Sequence, residues 1–212
     1  MKKLISLTLS FLLVLSLCGC NRQASENSSS QLQSSNSGSS VASVVAAPVS
    51  QPLKSILEGK STFINENGDS VYLKDYKISQ VDDLTFDAEK YAVLDFDGNG
   101  TDELLVYGSS DFGIYILLRV YDGKVYGYEF GERSLINVKQ NGTFFQSKGA
   151  GINHFVCLVF DSIGYQLNEL AYGNDYDCVY RVAGADVSAD EYKAFFDNWN
   201  KKPGADWTVI EK

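Results

Sequence analysis

The hydrophobic residues beyond residue 60 fall into short runs, and Gly, Asn or Asp separates one run from the next. Runs of this length, rich in β-branched and aromatic residues, are typical of strands. Two connections, Asn67-Gly68 and Asp122-Gly123, predict hairpins, because these residues accept positive φ at low cost. The pattern predicts strands over residues 61–64, 70–73, 91–95, 103–107, 114–121, 124–130, 135–139, 143–146, 154–160, 165–172 and 178–182.

Two segments have a helical pattern instead. Residues 52–59 start with Pro and end with Gly, which is typical of a short helix. Near the C-terminus, Ser188 and Glu191 have the spacing of a capping box. One apolar helix face follows at positions i, i+3, i+4 and i+7, formed by Tyr192, Phe195, Phe196 and Trp199. We expect this aromatic face to pack on a sheet.

About ten short strands and two helices predict a mainly β (α+β) fold, because the connections are too short for parallel crossovers. We expect an antiparallel meander or sandwich-like sheet with a short N-terminal helix and a C-terminal capping helix. Residues 53–212 hold 26 of the chain's 27 aromatic residues, which is ample for one hydrophobic core and excludes intrinsic disorder there.

The net charge of the domain limits the class of partner that it can bind. Residues 53–212 hold 26 of the 27 acidic residues but 15 of the 18 basic ones, so their formal charge is −11, against −9 for the chain. A domain this acidic is a poor match for the phosphate backbone of a nucleic acid. We therefore expect no nucleic-acid partner.

The N-terminus has the pattern of an export signal. Lys2 and Lys3 precede an apolar run, residues 4–17, that is too short to span a bilayer comfortably. Residues 17–20, LCGC, resemble the bacterial lipoprotein box, which implies a signal peptide over residues 1–19 and a diacylglycerol lipid on Cys20. The alternative is an ordinary secretory cleavage site near an incidental Cys20.

A tether is expected to follow the lipidated cysteine. Residues 21–52 contain 11 Ser and only two charged residues, without apolar periodicity. Such a segment behaves as a flexible coil that spans roughly 30 Å. We therefore divide the chain into a signal peptide (1–19), a lipidated cysteine with its tether (20–52) and a β-rich extracellular domain (53–212). The tether favours the outer face of a Gram-positive cell membrane.

Two cysteines, Cys157 and Cys178, belong to this domain. An even number of cysteines outside the cell indicates a disulfide. However, the two fall on the first and third strands of a predicted meander, about 9–10 Å apart, whereas a disulfide needs Cα atoms within about 7 Å. The alternatives are therefore a bridge, if the middle segment does not pair between them, and two buried thiols.

One loop has the pattern of a metal site. Residues 95–103 read DFDGNGTDE, which places oxygen-bearing side chains two residues apart around Gly100. Hard cations such as calcium need six to eight oxygens, and alternate residues of a curled loop can all point inward. An EF-hand is excluded, because its twelfth position is Val106 and both flanks are strands. The alternative is a solvated hairpin turn, since Asp, Asn and Gly are common turn residues.

The acidic loop resembles the calcium loop of FG-GAP and integrin-type β-propellers, in which a hairpin carries the ligands. The resemblance implies a structural Ca²⁺ and leaves open whether Asp102 shares the ninth-position role. By this resemblance the ligands are the side chains of Asp95, Asp97, Asn99 and Glu103 and the carbonyl of Thr101.

Beyond the loop, the chain resembles a group of small secreted lipoproteins of Firmicutes. The resemblance rests on residues 57–60, 91–105, 121–126 and 180–196. That group has no assigned activity, so the resemblance implies a location and a fold and gives no reaction.

No enzyme is expected, because the spacing of residues provides neither a nucleophile with a base nor a phosphate-binding loop. His154 is the only histidine, and its distance of three residues from Cys157 places the two side chains on opposite faces of one strand. Asp82 and Asp83 have the chemistry of half a glycosidase pair, yet acidic neighbours arise by chance in so acidic a domain. A hydrolase is therefore the weakest of the alternatives.

We therefore predict a lipid-anchored, non-catalytic module that binds a wall polymer, a glycan or a protein partner. Aromatic side chains on consecutive strands could stack on sugars, although cross-strand packing is the favoured explanation. The alternative function is an accessory subunit of a membrane transporter or sensor complex. The aromatic side chains concerned are Tyr107, Tyr115, Tyr121, Tyr126 and Tyr128.

Overall fold

A computed structural model describes residues 48–81, 83–108 and 112–211 of this chain. The predicted signal peptide, Cys20 and most of the tether lie outside the described residues, as does Asp82. No helix in the described part of the chain is long and apolar enough to cross a membrane.

The described elements are two α-helices, two short 3-10 helices (Leu73–Asp75 and Glu132–Ser134) and twelve strands. The α-helices are α1 (Gln51–Leu57) and α2 (Ala189–Asn200). The strands are β1 (Phe63–Ile64), β2 (Ser70–Val71), β3 (Ala88–Leu94), β4 (Glu103–Gly108), β5 (Ile114–Tyr121), β6 (Lys124–Phe130), β7 (Phe144–Gly149), β8 (Ile152–Asp161), β9 (Gly164–Asn174), β10 (Val179–Val182), β11 (Ala185–Asp186) and β12 (Thr208–Val209).

The strands form two sheets. The larger sheet has seven strands in the order β12-β3-β4-β5-β6-β1-β2, and the smaller has five in the order β11-β10-β9-β8-β7. Sequential neighbours pair antiparallel through short turns, and β1 pairs parallel to β6 through Ile64 and Tyr126. The mainly β prediction is confirmed, with a meander in each sheet.

The two sheets pack face to face over a buried apolar layer. Side chains from both sheets and from the segment between β6 and β7 build this layer, namely Ala92, Leu94, Phe96, Leu105, Leu117, Tyr128, Phe130, Leu135, Val138, Phe144, Val156 and Leu158. Because successive side chains of a strand point to opposite faces, each sheet also has an outer face with buried residues. Leu53 and Ile56 of α1 cover the outer face of the larger sheet, and Trp199 of α2 covers Phe155 on the smaller one.

Local signals explain where the helices begin. The capping box of α2 is confirmed, because Glu191 N donates to Ser188 Oγ at 3.3 Å and Ser188 N donates to Glu191 Oε2 at 2.8 Å. Helix α1 begins at Gln51, and Val49 packs against the core. The folded part of the chain thus includes residues that we assigned to the tether.

One predicted strand is wrong. Residues 135–139 make only isolated bridges, from Ile136 to Phe145 and from Lys139 to Gly204. Asn137 lies between these bridges with φ of 52°, and a left-handed residue interrupts the extended backbone that a strand ladder requires. The very short β11 and β12 had no pattern long enough to predict them.

The structure fits neither alternative for the two cysteines, a bridge or two buried thiols. Neither Cys157 nor Cys178 is disulfide-bonded; the first is half-buried and the second is exposed. Cys157 lies opposite Asn168 on β9, whereas Val179, next to Cys178, lies opposite Asn174. The two cysteines are therefore on opposite sides of β9 and about six residues apart along it, roughly 20 Å.

Candidate metal centre

The acidic loop connects β3 to β4 at one end of the larger sheet. Asp95 follows the last residue of β3, and Glu103 is the first residue of β4, opposite Leu94. Gly98 and Gly100 have φ of 74° and 84°, and these left-handed residues curl the loop so that its side chains turn inward.

The two loop aspartates accept backbone hydrogen bonds from the turn that follows them. Asn99 N donates to Asp95 Oδ1 and to Asp97 Oδ1, each at 3.1 Å. Gly100 N donates to Asp95 Oδ2 at 2.9 Å. These bonds hold both carboxylates on the inside of the loop.

Asn99 braces the loop through its own side chain. Its Nδ2 donates to Asp97 Oδ2 at 2.9 Å, and its Oδ1 accepts from Thr101 N at 2.6 Å. Both Asn99 and Thr101 are exposed. The ligand roles assigned to the Asn99 side chain and the Thr101 carbonyl stay predictions.

Three carboxylates converge beneath the loop. One oxygen from each of Asp95, Asp97 and Glu103 lies within 4.8 Å of the other two. Asp102 is exposed and does not belong to this group. The structure therefore brings Glu103, and not its neighbour, to the position that the sequence left open.

Glu103 is the unusual member of the three. Its side chain is fully buried, with a relative exposure of 0%. Its Oε2 accepts from Phe96 N at 2.9 Å, while Oε1 has no hydrogen-bond partner among the described residues. A buried carboxylate oxygen without a donor is costly and needs a compensating group.

Burial raises the pKa of Glu103 to about 8, because the charged form loses its hydration. The Phe96 N–H lowers this pKa, while the nearby charges of Asp97 and Asp95 raise it. A divalent cation between the three carboxylates would lower the pKa of Glu103, since the cation favours the ionised form of each carboxylate.

The loop is fixed to the rest of the sandwich through its backbone and one aromatic ring. Phe96 is buried, and its ring centroid lies 6.3 Å from that of Phe144 on the smaller sheet. Gly142, with φ of 73°, approaches so closely that a Cβ there would lie 2.6 Å from Phe96 Cα and 2.7 Å from Asp95 O. The acidic loop thus sits at a contact between the two sheets.

No family model, curated protein or solved structure matches this chain.

The tyrosines that we considered for sugar stacking pack largely against one another. Tyr107 and Tyr115 are opposite each other on β4 and β5, with ring centroids 5.0 Å apart, and Trp207 lies against both. Tyr128 is buried between the sheets. Tyr121 and Tyr126 are 6.4 Å apart and remain partly open to solvent. Cross-strand packing therefore explains most of this set.

His154 belongs to a charged cluster on the smaller sheet. Its Nδ1 lies 3.8 Å from Glu169 Oε2, and Arg181 donates to both oxygens of Glu169 at 3.1 and 3.2 Å. Desolvation lowers the pKa of His154, with Glu169 opposing this shift. Tyr172 stacks edge-on against the histidine at 4.6 Å. The cross-strand ion pair is therefore that of Arg181 and Glu169, and the lowered pKa of His154 favours a neutral imidazole beside it.

Sequence reasoning missed one further carboxylate. Glu129 on β6 accepts hydrogen bonds from Tyr76 Oη, Ser79 N and Ser79 Oγ at 2.8 Å each, and from Gln80 Nε2 at 3.1 Å. It fastens residues 76–80 to the larger sheet. No local pattern could reveal it, because the partners are about 50 positions apart in the chain.

Proposed function

We propose that this chain is a lipid-anchored extracellular module with a structural Ca²⁺ in the β3–β4 loop, and that it binds a wall polymer, glycan or protein partner without catalysis. The observation that carries the calcium part is the fully buried Oε1 of Glu103, which lacks a donor beside two further carboxylates. A cation is the group that supplies what this oxygen lacks.

Calcium is the cation that fits the donor set best. Carboxylate, amide and carbonyl oxygens are hard ligands, and Ca²⁺ accepts six to eight of them in flexible geometry. Asp95, Asp97 and Glu103 would supply the carboxylates. Extracellular calcium modules bind with dissociation constants of about 10⁻⁴–10⁻³ M. A loop with two exposed glycines suits this weak class.

The ion's role is structural in this proposal. Phe96 lies between two carboxylate ligands and packs against the smaller sheet, so a cation that fixes the loop also fixes this contact. The metal-free protein favours the protonated form of Glu103 up to pH about 8, whereas a bound cation would favour the ionised form of all three groups. The expected consequence is a more stable sandwich, and no reaction is assigned to the site.

Direct calcium binding tests the proposal. Titration calorimetry on chelator-treated protein should give one ion per chain with a dissociation constant near 10⁻⁴ M. Asp95→Ala should abolish this heat, while Asp102→Ala, an equally acidic and exposed neighbour outside the cluster, should keep it. Equal loss in both variants would point to non-specific charge and would reject the loop as the site.

The anchor and the partner rest on the sequence. Cys20→Ser should move the protein from the membrane fraction to the medium, whereas an unchanged membrane fraction would reject the lipid anchor. The partner class is tested by capture of the protein on isolated wall fragments and, separately, from detergent-solubilised membranes. Capture on wall fragments supports the binding module; exclusive recovery with a membrane complex would instead support an accessory subunit.

A further inference from the structure

A groove of about 580 Å³ opens between the two sheets, away from the acidic loop. Its walls are the β1–β2 turn around Asn65 and Asn67, the middle of β6 at Tyr126, and the β8–β9 turn from Ile163 to Tyr165. This volume lies within the range of about 300–1,000 Å³ that is typical of small-ligand clefts.

Hydrogen bonds hold both turns in place. Asn65 Oδ1 accepts from Asn67 N at 3.0 Å and from Asp69 N at 2.8 Å, which closes the β1–β2 turn. Tyr128 Oη donates to Ile163 O at 2.8 Å and ties the β8–β9 turn to the larger sheet. A ligand would therefore meet walls that are already formed, which lowers the entropic cost of binding.

The lining combines ring faces with hydrogen-bonding groups. Tyr126 and Tyr165 are partly open to solvent, and Ile163 at the rim is 58% exposed. Glu66 and Asn67 bring a carboxylate and an amide to the opposite wall. Apolar ring faces beside acceptors and donors suit a ligand with a C–H face and hydroxyl groups, and a sugar ring has both.

Charge decides between neutral and anionic ligands. Among the described residues that line the groove, Glu66 is the one charged residue. The nearby Arg119 is engaged elsewhere, since it donates to Ser162 O at 2.9 Å and stacks over Phe160 at 4.3 Å. A phosphate-bearing polymer would thus meet a carboxylate and no cation in the groove.

We propose that this groove binds a neutral oligosaccharide, with Tyr126 and Tyr165 contacting the sugar rings and Glu66 and Asn67 contacting hydroxyl or acetamido groups. This inference rests on the proposed function as a binding module and names the site and the ligand class. It is independent of the calcium loop, because none of the loop residues lines the groove.

Titration calorimetry tests the groove with two probes, a neutral N-acetylglucosamine tetramer and an anionic poly(glycerol phosphate). The protein should bind the neutral probe and not the anionic one. Tyr126→Ala and Asn67→Ala should each weaken binding about tenfold or more. Tyr176→Ala is the matched control, because this tyrosine is 74% exposed and does not line the groove.

Three outcomes would overturn the groove. These are no heat with the neutral probe at millimolar concentration, stronger binding of the anionic probe, and equal weakening by Tyr176→Ala and Tyr126→Ala. Asn67→Ala guards against misfolding, since this turn residue is exposed. If both groove variants are still captured on wall fragments, the groove is rejected as the binding site, while the proposal of a binding module is kept. Absence of wall capture in the unaltered protein would reject the binding module itself.

Discussion

Replacing Glu103 by glutamine removes a buried titratable carboxyl group while keeping the shape of the side chain. The glutamine Oε1 can still accept from Phe96 N, and its amide can donate to the carboxylates of Asp95 or Asp97. In the metal-free protein, the substitution therefore removes the cost of protonating this carboxylate, or of burying its charge at higher pH. In calcium, it removes a ligand. The same change thus has opposite effects on stability in the two conditions.

The pKa shift gives the size of the metal-free effect. The pKa of Glu103 is about 8 in the folded chain, against 4.5 for an ordinary Glu. Because the folded value is raised, this group's contribution is fully present below pH about 4.5 and is lost as pH rises toward 8. The loss is about 1.4 kcal/mol per pH unit in that window, or roughly 3 kcal/mol at pH 7.

Urea denaturation at several pH values, in chelator and in calcium, checks this reasoning. In chelator, Glu103→Gln should match the unaltered protein near pH 4.5 and exceed its free energy of unfolding by roughly 3 kcal/mol at pH 7 and roughly 4 kcal/mol at pH 8. In calcium, only the unaltered protein should gain stability. A variant that is less stable than the unaltered protein at pH 8 in chelator would refute the account of a strained carboxylate.

Three further substitutions test contacts that position the site and the sheets. Gly142→Ala should cost roughly 2–4 kcal/mol of unfolding free energy, measured in urea, because φ is positive and the new Cβ would strike the Phe96 backbone; an unchanged value would contradict the close approach. Trp199→Phe should cost about 2 kcal/mol, since its Nε1 donates to Thr143 Oγ1 at 3.0 Å in the core, and a thermal melt with no shift would count against this. Glu129→Gln should lower stability by about 2 kcal/mol and speed proteolysis of residues 76–80, because an amide accepts fewer hydrogen bonds; unaltered proteolysis would argue that the carboxylate is not what fastens the segment.

Elements with a complete local signal could be predicted well. Strands β5 and β6 have their expected bounds, because Asp122 and Gly123 between them adopt φ of 47° and 70°, as a tight hairpin turn needs. The capping box set the start of α2 in the same way. Asn137 shows the limit: its φ of 52° breaks a run that reads as a strand, and its residue type alone does not require that.

The residues of the candidate site could be predicted from the sequence, whereas their burial and packing could not. The spacing of residues 95–103 identified the aspartates and Glu103 as neighbours. Two features depend on distant parts of the chain: the complete burial of Glu103 beneath the loop and the approach of Gly142 to the loop backbone. The groove beside Tyr126 could not be predicted for the same reason, since two turns and one strand that are far apart in sequence form it.

The most direct test of the central claim is the melting temperature of the protein in 1 mM calcium and in chelator, with Asp97→Ala measured alongside. For a dissociation constant of about 10⁻⁴ M, ligand linkage gives about 1.4 kcal/mol, which corresponds to a rise of about 3–6 °C for a domain of this size. We predict this rise in the unaltered protein and none in Asp97→Ala. Equal melting temperatures with and without calcium in the unaltered protein would contradict a structural calcium site.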